Sequence, residues 1–219
     1  GGADGGARAE ACSALALDAL GEEEGGGAVL GVAVRQDGKS ASLTAPNGQA
    51  QQALLKAALA DASVHTEQVA CVEAHGTGTA LGDPIETRSL AHIISKRMAD
   101  EALALGSIKA NAGHTEPAAG ITGLLRLALS LQDGLGAPNG QLRAINPHVG
   151  NSLKGIACAL PTQLSAAPIC AAQTGSDCAG GVSSFGYSGT VAHAALSSDA
   201  LAERGVAVAS SWRSQPSFL

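Results

Sequence analysis

Val69-Ala70-Cys71-Val72-Glu73-Ala74-His75-Gly76-Thr77-Gly78-Thr79 decides the reading of this chain. Val69 to Val72 is an apolar run that reads as a buried strand. It ends in a histidine followed by a Gly-Thr-Gly-Thr turn, which sets backbone N–H groups and two hydroxyls beside an imidazole. Gly76 and Gly78 allow a ligand to approach the backbone closely. Asp83-Pro84 then opens a helix, with the acid expected at the N-cap and proline at the first helical position. A histidine at the carboxyl end of a strand, on a loop leading to a helix, is where open α/β folds place chemistry.

Two further stretches follow the same grammar. Leu105 to His114 is a short strand, a lysine, a glycine turn and a second histidine, running through Pro117 into a helix over Glu116 to Gln132. Ile121, Leu124, Leu125, Leu127, Ala128 and Leu131 make that helix apolar nearly all round, so it is expected to be buried. Gly181 to Thr190 sets Phe185 and Tyr187 in a glycine-rich turn. That placement stands out because aromatic residues make up only 2% of the chain. The pair Gly76-x-Gly78 is not a dinucleotide turn: the next glycine, Gly82, falls one residue late for G-x-G-x-x-G.

Composition narrows the function classes. A length of 219 residues fits one domain of ordinary size. With 45% hydrophobic and 15% charged residues, the chain can build a core. A net charge of −6 without a basic stripe argues against nucleic-acid binding. No apolar run reaches membrane-spanning length and no signal-peptide pattern opens the chain, so no membrane span and no secretion are expected. The five cysteines are Cys12, Cys71, Cys158, Cys170 and Cys178. No pair has C-x-x-C spacing, so no metal site is expected. Their odd number suits reduced thiols, in the cytoplasm or an organelle stroma.

Around the three stretches, Ala11 to Leu17 reads as a strand with Cys12 as a small core residue, and Gly21 to Gly27 as a solvated loop. Val29 to Val34 reads as a strand, Gln49 to Ala62 as a helix with Leu54, Leu55, Ala58 and Leu59 on one face, and Pro84 to about Leu103 as another helix. Residues 134–180 read as irregular with short strands, and Val191 to Leu196 as a final strand. His65, His92 and His193 read as structural. Asp83 reads as a helix cap and Glu73 as a residue that fixes its loop; neither they nor Glu86 are expected to act as acid or base.

The three stretches together resemble the C-terminal half of a β-ketoacyl synthase of the type found in modular polyketide synthases. The pattern V-E-A-H-G-T-G-T-x-x-G-D-P-I-E is present unbroken from Val72 to Glu86. G-S-x-K-x-N-x-G-H is present from Gly106 to His114, and S-S-F-G-x-x-G-T-x-A-H from Ser183 to His193. Asp4 to Glu10, Thr44 to Gly48 and Asn146-Pro147-His148 also look like the family, in the same order and spacing over residues 4–197. The resemblance implies an α/β fold, the C-terminal half of a thiolase-like αβαβα sandwich: a five-stranded mixed sheet with a buried central helix. It divides the chain into 1–197, the half-domain, and 198–219, a tail or linker holding Trp212.

The resemblance also implies decarboxylative Claisen condensation of an acyl thioester with a malonyl-type extender on acyl carrier protein, in polyketide or fatty acid synthesis. His75 and His114 match the family's paired histidines, and Lys109 matches the lysine five residues before the second. Thr77 and Thr79 are placed to hydrogen-bond the phosphopantetheine arm, with capping of the local turn as the alternative. Phe185 and Tyr187 match a gate over the nucleophile. The chain binds no cofactor of its own in this reading. Its implied partners are an N-terminal half carrying the nucleophilic cysteine, on the same or a separate chain, the acyl carrier protein, and a second copy of the complete domain in a homodimer. The family's nucleophile motif is absent from this sequence, so the chain alone is expected to be inactive. Tyr187 and Ser188 stand where phenylalanine and glycine are common, Ala112 where a larger apolar residue is usual, and Val191 where asparagine is common, a change expected to remove a hydrogen bond near the site. The competing reading is a degenerate, non-catalytic half with a structural or acyl-binding role in an assembly.

Overall fold

The structure, a computed structural model, describes residues 7–16, 28–39, 45–95, 102–140, 142–166 and 178–197. The glycine-rich start at 1–6, the loop at 21–27 and the tail at 198–219 lie outside the described residues. The elements are β1 (Ala28–Gln36), α1 (Gly48–Asp61), β2 (Val69–Glu73), α2 (Gly82–Ile94), β3 (Leu103–Gly106), α3 (Lys109–Ala112), α4 (Ala119–Asp133), β4 (Leu135–Gly136), α5 (Pro147–Leu153), β5 (Cys158–Ala159), β6 (Ser165–Ala166), β7 (Ala179–Phe185) and β8 (Thr190–Ser197).

Six strands form one mixed sheet in the order β1-β8-β7-β2-β3-β5. The β1–β8 and β8–β7 pairs are antiparallel; β7–β2, β2–β3 and β3–β5 are parallel. The sequence predicts five strands. The sixth is the two-residue β5, contributed by the irregular 134–180 region. β4 and β6 pair as a separate two-stranded ribbon.

β2 sits inside the sheet, and all five of its residues are buried. That burial explains its continuous apolar run: a parallel strand covered on both faces has no need of alternation. One cover is α4, whose Leu127, Ala128 and Leu131 join Ala70, Cys71, Ala104 and Val182 in a core. On the opposite face α1, α2 and α5 supply Leu55, Leu90, Ile94, Val149 and Leu153 around Val69, Val72 and Leu103. The α1 helix starts where expected because the Asn47 Oδ1 accepts the N–H groups of Gln49 and Ala50, at 3.0 and 3.2 Å.

Several expectations are corrected. Residues 11–16 form no strand, and Cys12 is exposed; an alanine-rich segment has little β-preference, and the ladder contact of this region is an isolated bridge between Arg8 and His114. Asp83 lies in the first turn of α2 rather than at its N-cap, which is Leu81. The Asp83 Oδ1 reaches back to accept the Gly78 N–H at 3.1 Å, so it closes the preceding turn. Val191 is 1% exposed and packs with Ala33, Leu54 and Ala58, so the valine is a core residue rather than a lost polar contact at the site. The central helix α4 buries one face on the sheet, while Ile121, Leu125 and Leu129 remain half-buried. On the edge strand, Val32 and Val34 are exposed.

Leu103 is fully buried where β3 meets α2 and α5. Leu103→Ala is expected to destabilise the domain by about 2–5 kcal/mol through lost burial and the cavity left behind. Urea unfolding of the complete domain reads this directly; an unchanged midpoint would place β3 outside the core.

Candidate active site

Three loops at the carboxyl ends of β2, β3 and β7 bring the candidate residues to one side of the sheet. His75 follows β2, Lys109 and His114 follow β3, and Phe185 ends β7. His75, His114, Thr77, Thr79, Phe185 and Tyr187 line one open cleft of about 1080 Å³. The two imidazoles meet edge to face, their centroids 5.7 Å apart and their planes at 89°. Phe185 lies against His75 with centroids 5.3 Å apart. Tyr187 stands at the rim, 88% exposed.

The β2–α2 loop is held from below. The Glu86 carboxylate accepts the N–H groups of His75 and Gly76, at 2.7 and 2.9 Å. Gly76 has φ +47, and a Cβ there would lie 2.8 Å from the Ser107 Cβ, so both backbone shape and space demand glycine. Thr79 accepts the Gly82 N–H at 3.1 Å, and its hydroxyl lies 3.4 Å from that of Thr77. Thr79 therefore serves the turn while also facing the cleft.

The second histidine is clamped by the chain's early segment. His114 donates its N–H to the Ala7 carbonyl at 2.6 Å, and its carbonyl accepts the Ala9 N–H at 2.9 Å. Beside it Glu116 adopts φ +42, a strained backbone for a non-glycine residue, and its carboxylate pairs with Arg8 at 3.2 Å. Both residues line the cleft.

The electrostatics favour neutral imidazoles. Burial, reinforced by Lys109 and His114, lowers His75 to about 3. Burial also lowers His114, again with help from Lys109 and against the pull of Glu116. The Phe185 N–H donates to the His75 Nδ1 at 3.3 Å. A ring nitrogen that accepts carries no proton, so the His75 proton resides on Nε2 and that nitrogen is a donor. The His114 Nδ1 is buried without a protein partner among the described residues. Lys109 is half-buried and does not line the cleft. Burial lowers its pKa, while Glu73, Glu86 and Asp83 oppose that fall. Burial raises the Glu86 carboxyl to about 7, against the two amides it accepts.

Sequence reasoning found the histidines, the lysine, the threonines and the aromatic turn, and the structure gathers all but Lys109 on the cleft wall. It passed over Arg8, Glu116 and Arg126. The signal for Arg126 was present: it is the lone cation in the apolar run from Ile121 to Leu131. His193 lies away from the cleft, buried, with its Nδ1 2.9 Å from the Ser183 Oγ. His65 begins a short 3-10 turn and His92 is exposed on α2, as structural readings require. Among the described residues no three His, Cys, Asp or Glu side chains converge as a metal site. No described helix is long and apolar enough to cross a membrane.

A His75 held near 3 has a stability consequence. Between that value and 6.5 the unfolded chain binds a proton that the folded one does not. The contribution is complete above pH 6.5 and is lost as pH falls toward 3. The His75 ring is therefore expected to remain neutral down to pH of about 5, read by NMR of ring-labelled histidine; a His75 midpoint near 6.5 would contradict it.

Residues 27–143 match the family described as Beta-ketoacyl synthase, C-terminal domain. One of the phenolphthiocerol/phthiocerol polyketide synthase proteins of Mycobacterium tuberculosis is 41% identical over 201 residues, which is 89% of this chain and 10% of that protein. This chain thus spans about a tenth of that relative's length. Among solved structures, the ketosynthase from module 6 of the bacillaene synthase of Bacillus subtilis superposes with a TM-score of 0.71 at 32% identity, covering 78% of this chain and 30% of that one. An oxazolomycin ketosynthase domain from Streptomyces albus gives a TM-score of 0.70 at 28% identity, covering 87% and 32%. The family match over more than half of its length makes the chain a member of the β-ketoacyl synthase C-terminal domain family, with the thiolase-like α/β architecture of ketosynthases.

Proposed function

We propose that this chain supplies the decarboxylation half of a ketosynthase active site in polyketide synthesis, within a β-ketoacyl-[acyl carrier protein] synthase. The observation that carries the reading is the convergence of two imidazoles, both pushed toward neutrality, on one cleft, with the His75 Nε2–H free to donate. The reaction asks for such groups. When the carboxylate of a malonyl-type thioester leaves as CO2, the electron pair of the breaking C–C bond moves into an enolate, and charge develops on the thioester oxygen. Fixed neutral donors meet that charge without changing their own. The enolate carbon then attacks the carbonyl of an acyl group held as a thioester, forming a C–C bond as the sulfur leaves with the electron pair of its C–S bond.

In this reading His75 donates to the enolate oxygen. His114 shares that oxygen or handles the departing carboxylate. Lys109 acts through its positive charge, which adds to burial in keeping both rings neutral. Thr77 and Thr79 at the cleft wall suit the polar phosphopantetheine arm, and Phe185 and Tyr187 suit a gate. No described cysteine lines the cleft, so the acyl-bearing sulfur is assigned to an N-terminal half of the domain. The half-buried outer face of α4 suits the same partner layer, because a thiolase-like sandwich covers that helix from both sides. Acyl carrier protein delivers both thioesters, and the complete domain works as a homodimer.

His114→Ala, made in the complete synthase, is expected to lower condensation about 10²–10³-fold, the usual effect of removing one oxyanion donor. Product formation from an acyl-loaded enzyme and a malonyl-type carrier thioester measures it. Undiminished turnover would favour a structural or acyl-binding half instead.

A further inference from the structure

The strongest unassigned feature is a buried ion pair behind the cleft. Glu73 is 2% exposed at the end of β2, and its Oε2 pairs with the Arg126 Nη1 from α4. The Glu73 Oε1 accepts the Ile108 N–H at 2.6 Å. The Arg126 Nη2 donates to the Ala137 carbonyl at 2.7 Å. Two glycines make the slot. A Cβ on Gly106 would lie 2.9 Å from both terminal guanidinium nitrogens, and one on Gly123 would lie 3.2 Å from the Glu73 Cγ.

The connectivity gives the pair its meaning. Glu73 lies two residues before His75, and Ile108 lies one residue before Lys109 and six before His114. A single carboxylate therefore ties the strand that carries one histidine to the loop that carries the other, and Arg126 anchors that tie to α4. The parallel β2–β3 ladder holds the strands together up to Glu73 and Gly106, and beyond it the Ala74 N–H donates to the Gly106 carbonyl at 2.7 Å. Neither Glu73 nor Arg126 lines the cleft, so neither can touch substrate there.

We propose that Glu73 and Arg126 are positioning residues that set the spacing of His75 and His114, with Gly106 and Gly123 kept side-chain-free to admit them. The proposal rests on the reading of the two histidines as the enolate site. A displacement of the order of 1 Å in such a site costs about 10²-fold in rate.

The experiment uses the complete synthase and normalises each rate to the fraction of sites that load an acyl group, so that poorly folded enzyme does not count as slow enzyme. Glu73→Gln is expected to lower the condensation kcat about 10–100-fold, with KM for the extender changing less than about threefold. Combined with His114→Ala, Glu73→Gln is expected to add little further loss, because it acts through that loop. Multiplying losses would overturn the proposal, since a merely structural residue acts independently of His114. Should Glu73→Gln yield no loadable sites, Gly123→Ala displaces the carboxylate without removing it, and about a tenfold lower kcat is expected. An unchanged kcat in either variant overturns the brace. Should His114→Ala itself leave condensation intact, the enolate-site reading fails instead, so the two failures are distinguishable.

Discussion

A carboxylate held away from water has to be answered, and the Glu73 carboxylate is the point at which this structure answers it. Burial pushes the Glu73 carboxyl upward; the Arg126 guanidinium and the Ile108 amide pull against that rise. Everything near the cleft is arranged around this requirement. β2 must end where a cation from α4 can reach it, the β3–α3 loop must turn an amide toward it, and two neighbouring positions must carry no side chain. The fold's central strand and central helix are thereby joined by charge as well as by the apolar contacts of Cys71, Leu127 and Val182.

A second carboxylate plays a matching part in the β2–α2 loop. Glu86 holds the amides of His75 and Gly76. Lys109 sits in the field of Glu73, Glu86 and Asp83 while pressing both histidines toward neutrality. In the proposed function the acids thus serve as structural anchors and the imidazoles as uncharged donors.

Much of this was legible in the sequence because the local signals agree with one another. A continuous apolar run, a histidine and a glycine turn specify a buried strand ending in a polar loop, and β2 is that strand. The resemblance in the same residues located Lys109, His114 and the Phe185 turn. What escaped notice depends on long-range partners. Arg126 makes sense only with Glu73, 53 positions away. Arg8 enters the site through the bridge to His114 and the ion pair with Glu116. Asp83 looked like a cap because Asp-Pro is a strong local pattern, yet the Gly78 amide claims its carboxylate. Cys12 looked like core because cysteine so often is, but apolar character alone does not supply a neighbouring strand.

The bond from the Phe185 amide to His75 ties two functions together. That amide belongs to the first residue of the aromatic turn, and it is also what assigns the His75 proton to Nε2. A turn that moved as the proposed gate would carry the assignment with it: with the Phe185 N–H withdrawn, the ring would lose the partner that distinguishes its two nitrogens, and either could hold the hydrogen. Closing it again would restore one tautomer. Under the proposed function, access to the cleft and the tautomer of its first imidazole would then be a single mechanical variable, an interlock between doorway and proton.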